Sequence, residues 1–438
     1  MVVRAAGTQA AAIKAGHREF LFPCVAPYYA DPVVMARGDG MKVWDTDGRE
    51  YLDFFSGILT TAIGHCHPEV LDRVQEQMAA LGHTSTLYLT EGQVEMAQRL
   101  ADIAPGKLRQ TFFTNSGTEA IETAIVLASM YTGRSEIIAL RYGYSGRSIL
   151  ATNLTAHSPW RPLPTTVPGI KHALSPYPYR CPFRSPCDES CVDAFARDLE
   201  ELIVTTTNGK PAAFLAETIQ GVGGYIVPPP GYFQRVVEIV HRYGGLFICD
   251  EVQAGFGRTG DHWFGIEHWD VEPDIMVMAK GIASGFPVGA TITRPEIAAA
   301  WTAKTISTFG GNPISMAAGI ATNDVMVREK VPARAATRGK QLRKGLDELG
   351  RRYEWIGDVR GMGLMQALEI VEDKKSKTPN PQKAKALLEA TRDEGLLIGL
   401  GGLNGHVIRM GPSLLVTEEE TADALARMSK ACATVDRQ

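Results

Sequence analysis

Five short apolar runs, set apart by turns and helical stretches, constrain this chain more than any other feature. Residues 110–114, 136–140, 213–217, 246–249 and 275–279 have the length and the β-branched or aromatic content of buried strands. Helical patterns fall between them, and that alternation predicts an α/β fold, a mostly parallel sheet with helices on both faces, over residues 63–318. Beyond it, 333–349, 381–394 and 418–434 read as amphipathic helices, with 361–370 and 406–410 strand-like among them. They predict a smaller α+β domain over 319–438. Residues 41–55 read as a β-hairpin about Asp47-Gly48, so the segment 1–62 is expected to pack with the small domain.

Two of the runs end in reactive groups. The run 246–249 leads into Asp250 and the run 275–279 into Lys280. Ligands of open α/β sheets sit beyond the carboxyl ends of the strands, so a carboxylate and an amine delivered there can face one small molecule. Pyridoxal 5'-phosphate (PLP) needs that pair: an amine for a Schiff base with its aldehyde and a carboxylate for its protonated ring nitrogen. At about 4 Å and an effective dielectric near 20, the carboxylate and ring nitrogen attract by roughly 4 kcal/mol. Taken singly, each residue also fits a salt bridge at a sheet edge. A phosphate site is the second requirement. Residues 111–115 read as a strand, Ser116-Gly117-Thr118-Glu119 as a turn and 120–131 as a helix, so backbone N–H groups and two hydroxyls can meet an anion at a helix N-terminus. A plain helix cap fits the same residues.

Composition excludes other classes. The 438 residues carry a net charge of -4, with 21% charged and 45% hydrophobic side chains, and nothing in them suggests nucleic acid as a partner. No apolar run approaches a membrane span, and the Ala-rich start lacks the core of a secretory signal, so a cytoplasmic protein is expected. Seven cysteines are too few for a disulfide framework. Cys181, Cys187 and Cys191 cluster in a Pro-rich loop, but their spacing matches no zinc pattern and they are expected to be ordinary thiols. His65, His67 and His83 are expected to serve turns, and no metal is expected.

The motifs Asn115-Ser116-Gly117-Thr118-Glu119-Ala120, Glu217-Thr218-Ile219-Gln220-Gly221, Asp250-Glu251-Val252-Gln253, Ala279-Lys280-Gly281 and Thr308-Phe309-Gly310-Gly311-Asn312-Pro313 occur in one order. In that order the chain resembles the class III, PLP-dependent aminotransferases from about residue 25 to 430. Gly64-His65-Cys66-His67-Pro68 and His83-Thr84-Ser85-Thr86 bring it nearest to the alanine–glyoxylate aminotransferase 2 group. The resemblance implies PLP fold type I and a homodimer with shared active sites, and leaves open whether dimers pair into tetramers. It makes Lys280 the Schiff-base lysine and proton shuttle, and Asp250 the partner of the ring nitrogen. Glu217 joins the cofactor-binding set, with Gln253 at the ring hydroxyl, Ser116, Gly117 and Thr118 at the phosphate and Tyr144 on the ring face. Thr308 reaches the phosphate from the neighbouring subunit, and Arg409 clamps a substrate carboxylate.

Three positions depart from the family pattern: Ser145 for a frequent histidine, Thr218 for a proline and Val126 for a lysine. Val222 stands where ornithine and 4-aminobutyrate aminotransferases carry a glutamate that neutralises the arginine. The implied activity moves an amino group from alanine, β-alanine or another ω-amino acid to a small 2-oxo acid such as pyruvate or glyoxylate, through pyridoxamine phosphate. The alternatives are a 4-aminobutyrate-type enzyme using 2-oxoglutarate, or a PLP racemase or lyase on the same scaffold.

Overall fold

The computed structural model describes residues 8–25, 27–184 and 186–437; residues 1–7 of the N-terminal segment lie outside them. At its centre is a seven-stranded sheet in the order Gln110–Thr114, Gly289–Thr293, Ile275–Met278, Leu246–Asp250, Ala213–Glu217, Ile137–Leu140, Ile170–Ala173. All neighbours run parallel except Gly289–Thr293, which is antiparallel to both strands beside it. Ala213–Glu217, Leu246–Asp250 and Ile275–Met278 are buried along their whole length. That is why they are apolar without alternation: helices cover both faces.

The helices show why the chain crosses over where it does. Gly117–Thr132 puts Ala120, Ala124 and Ala128, four residues apart, on a fully buried face, and the small side chains let it lie close to the sheet. Tyr232–Arg242 buries Tyr232, Phe233, Val236, Val237 and Val240 on one side. Gly244, at φ 71°, then turns the chain into Leu246–Asp250. Each fully buried aromatic of this kind contributes about 1.5–3 kcal/mol.

The C-terminal segment forms a second sheet from Ile356–Met362, Met365–Ile370, Val407–Met410 and Gly399–Gly401. The helices Val331–Arg352, Pro381–Asp393 and Glu418–Asp436 accompany it. The single strand expected over 361–370 is instead the tip of a hairpin, because Gly361 and Gly363 adopt positive φ and reverse the chain between Met362 and Met365. Near the N-terminus, Lys42–Asp45 and Glu50–Asp53 pair around Gly48, and Leu396–Leu397 joins Leu52–Asp53 in parallel. The boundary expected at 318/319 falls inside one helix, Pro313–Arg328, which packs on Pro68–Ala80 and Glu91–Ile103. No helix among the described residues is long and apolar enough to cross a membrane.

Candidate active site

The carboxyl ends of the central strands open into a cavity of about 320 Å³. Strand register accounts for its charged floor. Glu217 and Asp250 are direct partners on neighbouring parallel strands, and Asp250 is opposite Val277, so Lys280 emerges just past the end of the next strand. Lys280 stands in the left-handed region at φ 50°, a strained conformation for a side-chain-bearing residue. All three line the cavity with Ser116, Gly117, Thr118, Tyr144, Ser145 and Gln253.

Burial governs the electrostatics. Desolvation first, then the Asp250 charge, pushes the Glu217 carboxyl above its ordinary range. Desolvation raises Asp250, and the Lys280 charge opposes it. Desolvation also lowers the Lys280 amine, against the pull of Asp250 and Glu217 and with help from Arg409. An amine facing two carboxylates, held below its usual basicity, is suited to exchanging protons.

Hydrogen bonds fix the surrounding groups. Asp250 Oδ1 accepts from the Val252 N–H at 3.0 Å. Glu217 accepts from the N–H groups of Tyr144 at 3.0 Å and Gly221 at 2.7 Å, so it orients two segments of the wall. Ser116 is the N-cap of Gly117–Thr132, its hydroxyl accepting from Glu119 N–H at 3.2 Å, while Glu119 reaches back to Asn115 N–H at 2.7 Å. The helix-cap reading therefore holds, and the capped turn still lines the cavity. Glycines bring backbone close to it: a Cβ on Gly146 would meet Thr118 Oγ1 at 2.3 Å, and one on Gly117 would meet Val252 at 3.3 Å.

Arg409 and Thr308 lie apart from this set. Arg409 is buried but does not line the cavity; it donates to Gly221 O at 3.2 Å and Leu400 O at 2.8 Å, and its Nε has no partner. Thr308 is exposed and outside the cavity of its own chain. Of the departures, Ser145 lines the cavity, Thr218 lies behind Asp250 with its hydroxyl donating to Glu251 at 2.5 Å, and Val126 is exposed. His65 bonds Asp53 at 2.8 Å and His83 packs on Phe309.

Several residues near the site went unnoticed in the sequence. Phe286, Pro287 and Val288 form part of the cavity wall. His157 is buried with neither ring nitrogen hydrogen-bonded; the Gly402 backbone approaches without a well-formed bond. Burial and then the Arg409 charge push it from 6.5 down to about 4. A single histidine between a helix and a turn carries no pattern that would have marked it.

Residues 25–432 match the model of aminotransferase class III. The chain is a class III aminotransferase. It is 42% identical to the mitochondrial alanine–glyoxylate aminotransferase 2 homolog 2 of Arabidopsis thaliana, over 94% of this chain and 86% of that protein. An amine transaminase from an uncultivated Pseudomonas species, solved in its PLP-bound form, superposes with a TM-score of 0.89 at 31% identity, covering 95% of this chain and 98% of its own. A phospholyase from Arthrobacter in complex with phosphoethanolamine superposes at 0.90 with 29% identity, covering 96% and 99%. Class III aminotransferases are PLP-dependent and have fold type I, and the residues of this cavity suit PLP. The capped helix terminus and its glycines suit the phosphate, the buried Asp250 suits the ring nitrogen, and Gln253 Oε1 is buried without a partner.

Proposed function

We propose that this aminotransferase takes an amino group from alanine, β-alanine or another ω-amino acid and passes it to a small 2-oxo acid such as pyruvate or glyoxylate. The observation that carries the proposal is the register that sets Glu217 beside Asp250 and both facing Lys280, in one cavity with a helix N-terminus. When bound, PLP supplies an aldehyde for the amine and a ring that withdraws electrons from the reacting carbon.

The chain's own residues then act as follows. Asp250, buried and ionised against a cation, keeps the ring nitrogen protonated. Ser116, Gly117 and Thr118 would hold the phosphate at the helix terminus, with Tyr144 at the ring face and Gln253 at the ring hydroxyl; all five line the cavity. Glu217 positions Tyr144 and the Gly221 turn. The Lys280 amine, lowered by burial, would take up a proton at Nζ from the donor carbon and give one back in the second half-reaction. Arg409 binds the substrate carboxylate. Val222 supports its use in both half-reactions, since the backbone of Val222 and the Arg409 guanidinium both crowd Gly401 and no acidic side chain stands at that position. Thr308 reaches the phosphate of a partner subunit in a homodimer.

The test is a titration of the purified holoenzyme with single amines and amino acids, without oxo acid. Loss of the visible cofactor band with one equivalent of oxo product per site identifies a donor. Release of ammonia or phosphate with the band unchanged would instead favour a lyase, the reading the phospholyase likeness supports. Preference for 2-oxoglutarate in the second half would favour the 4-aminobutyrate type.

A further inference from the structure

The loop 176–191 has no part in the aminotransferase reading, yet it gathers three thiols. The sulfurs of Cys181, Cys187 and Cys191 all lie within 4.8 Å of one another, and those of Cys181 and Cys191 are 3.4 Å apart. A disulfide would join two sulfurs at about 2.05 Å. A tetrahedral zinc site, with Zn–S bonds of about 2.3 Å, separates its sulfurs by about 3.8 Å. Three sulfurs converging on one point, one pair at 3.4 Å and all within 4.8 Å, lie nearer the second geometry than the first. Cys191 is buried and the other two are half-buried.

Groups other than sulfur build this convergence. Phe183 packs edge-on against Phe195, ring centroids 5.1 Å apart. Arg184 pairs with Asp188 at 2.6 Å, and Asp188 caps the helix Glu189–Thr206 through the Ser190 N–H, which sets Cys191 in the first helical turn.

We propose that Cys181, Cys187 and Cys191 bind one zinc-type cation, with a solvent molecule completing the tetrahedron. Three S–H bonds give up protons to solvent and three S–metal bonds form, with no change of oxidation state. Thiolates select such a soft cation over magnesium or calcium. This reading replaces the expectation of three ordinary thiols. The cation clips the loop to its following helix and so fixes Tyr177 and Arg180, which both bond the buried carboxylate of Glu369.

The experiment uses holoenzyme kept reduced, free of chelator and dialysed against zinc chloride. One equivalent of zinc per chain is expected, and cobalt in its place should give an intense near-ultraviolet sulfur-to-metal band. Both signals should vanish in Cys187→Ser and persist in Cys24→Ser. A strong chelator should lower the Tm of the wild type by several degrees and leave that of Cys187→Ser unmoved. Zinc content equal in wild type and Cys187→Ser overturns the proposal, as does a Cys181–Cys191 disulfide that survives reductant.

Discussion

Lys280, Asp250 and Glu217 are coupled closely enough that each can be tested against the others. Replacing Lys280 with Ala removes the proposed proton shuttle, and kcat should fall by about 10²- to 10⁴-fold; a smaller loss in single-turnover measurements would give the shuttle to another group. Arg409→Ala should cost about 10- to 100-fold in kcat/KM for carboxylate-bearing donors, the worth of hydrogen bonds to a charged group. Amines without a carboxylate should be spared, and an equal loss for both would assign Arg409 a structural role through Gly221 and Leu400. His157 gives a pH signature. Its folded value is depressed from 6.5 to about 4, so the stability it contributes is present above 6.5 and is lost as pH falls toward 4. His157→Gln should flatten that part of the stability curve relative to wild type, by about 1–3 kcal/mol; superimposable curves would refute it. Asp250 and Lys280 were legible in the sequence because each ends an apolar run. His157 was not, since only the folded chain brings it near Arg409.

Among the elements, the buried carboxylate of Glu369 ties the second sheet together. It accepts from Arg360 at 2.6 Å and Arg180 at 2.6 Å, and it also meets Tyr177 and His406. Burial opposes its charge, but Arg360 and these partners hold its carboxyl well below the ordinary range. Glu369→Gln should destabilise the protein by about 3–5 kcal/mol, because it leaves the Arg360 and Arg180 charges underpaired. Denaturant midpoints give the measurement, and a cost under about 1 kcal/mol would contradict it. A depressed carboxyl contributes stability above about 4.5 that is lost below it, so the acid limb should weaken in the same variant. No short-range pattern announces this cluster: Arg180 and Tyr177 are about 190 residues from Glu369. The central strands were readable because burial on both faces makes them apolar throughout. Ile170–Ala173 was missed because it is an edge strand carrying Lys171 and His172, and Gly289–Thr293 because its glycine and threonines leave no apolar run between Pro287 and Pro295.

For the whole molecule, the apolar surface sets the expected assembly. Leu87, Tyr88, Leu89 and Val94 are exposed together with Ile306 and Phe309, and Leu87, Val94 and Ile306 line one groove of about 1020 Å³. An uncovered patch of this kind indicates a partner surface, and the proposed homodimer would bring Thr308, beside Phe309, to a second cavity. Leu89→Asp should shift sedimentation toward monomer and weaken PLP retention together; monomers that keep the cofactor fully would disprove the shared site. The antiparallel strand also bears on synthesis. Gln110–Thr114 leads into the turn capped by Ser116, and among the described residues its one neighbour in the sheet is Gly289–Thr293, roughly 175 residues later. At about 5–20 residues per second, that strand waits on the order of 10–40 s on the ribosome for its pairing edge. Nascent chains arrested before Gly289 should therefore be cut by protease near Gln110, and chains arrested well past Thr293 should resist. The pocket beside that turn then cannot close until the chain has been made as far as Thr293.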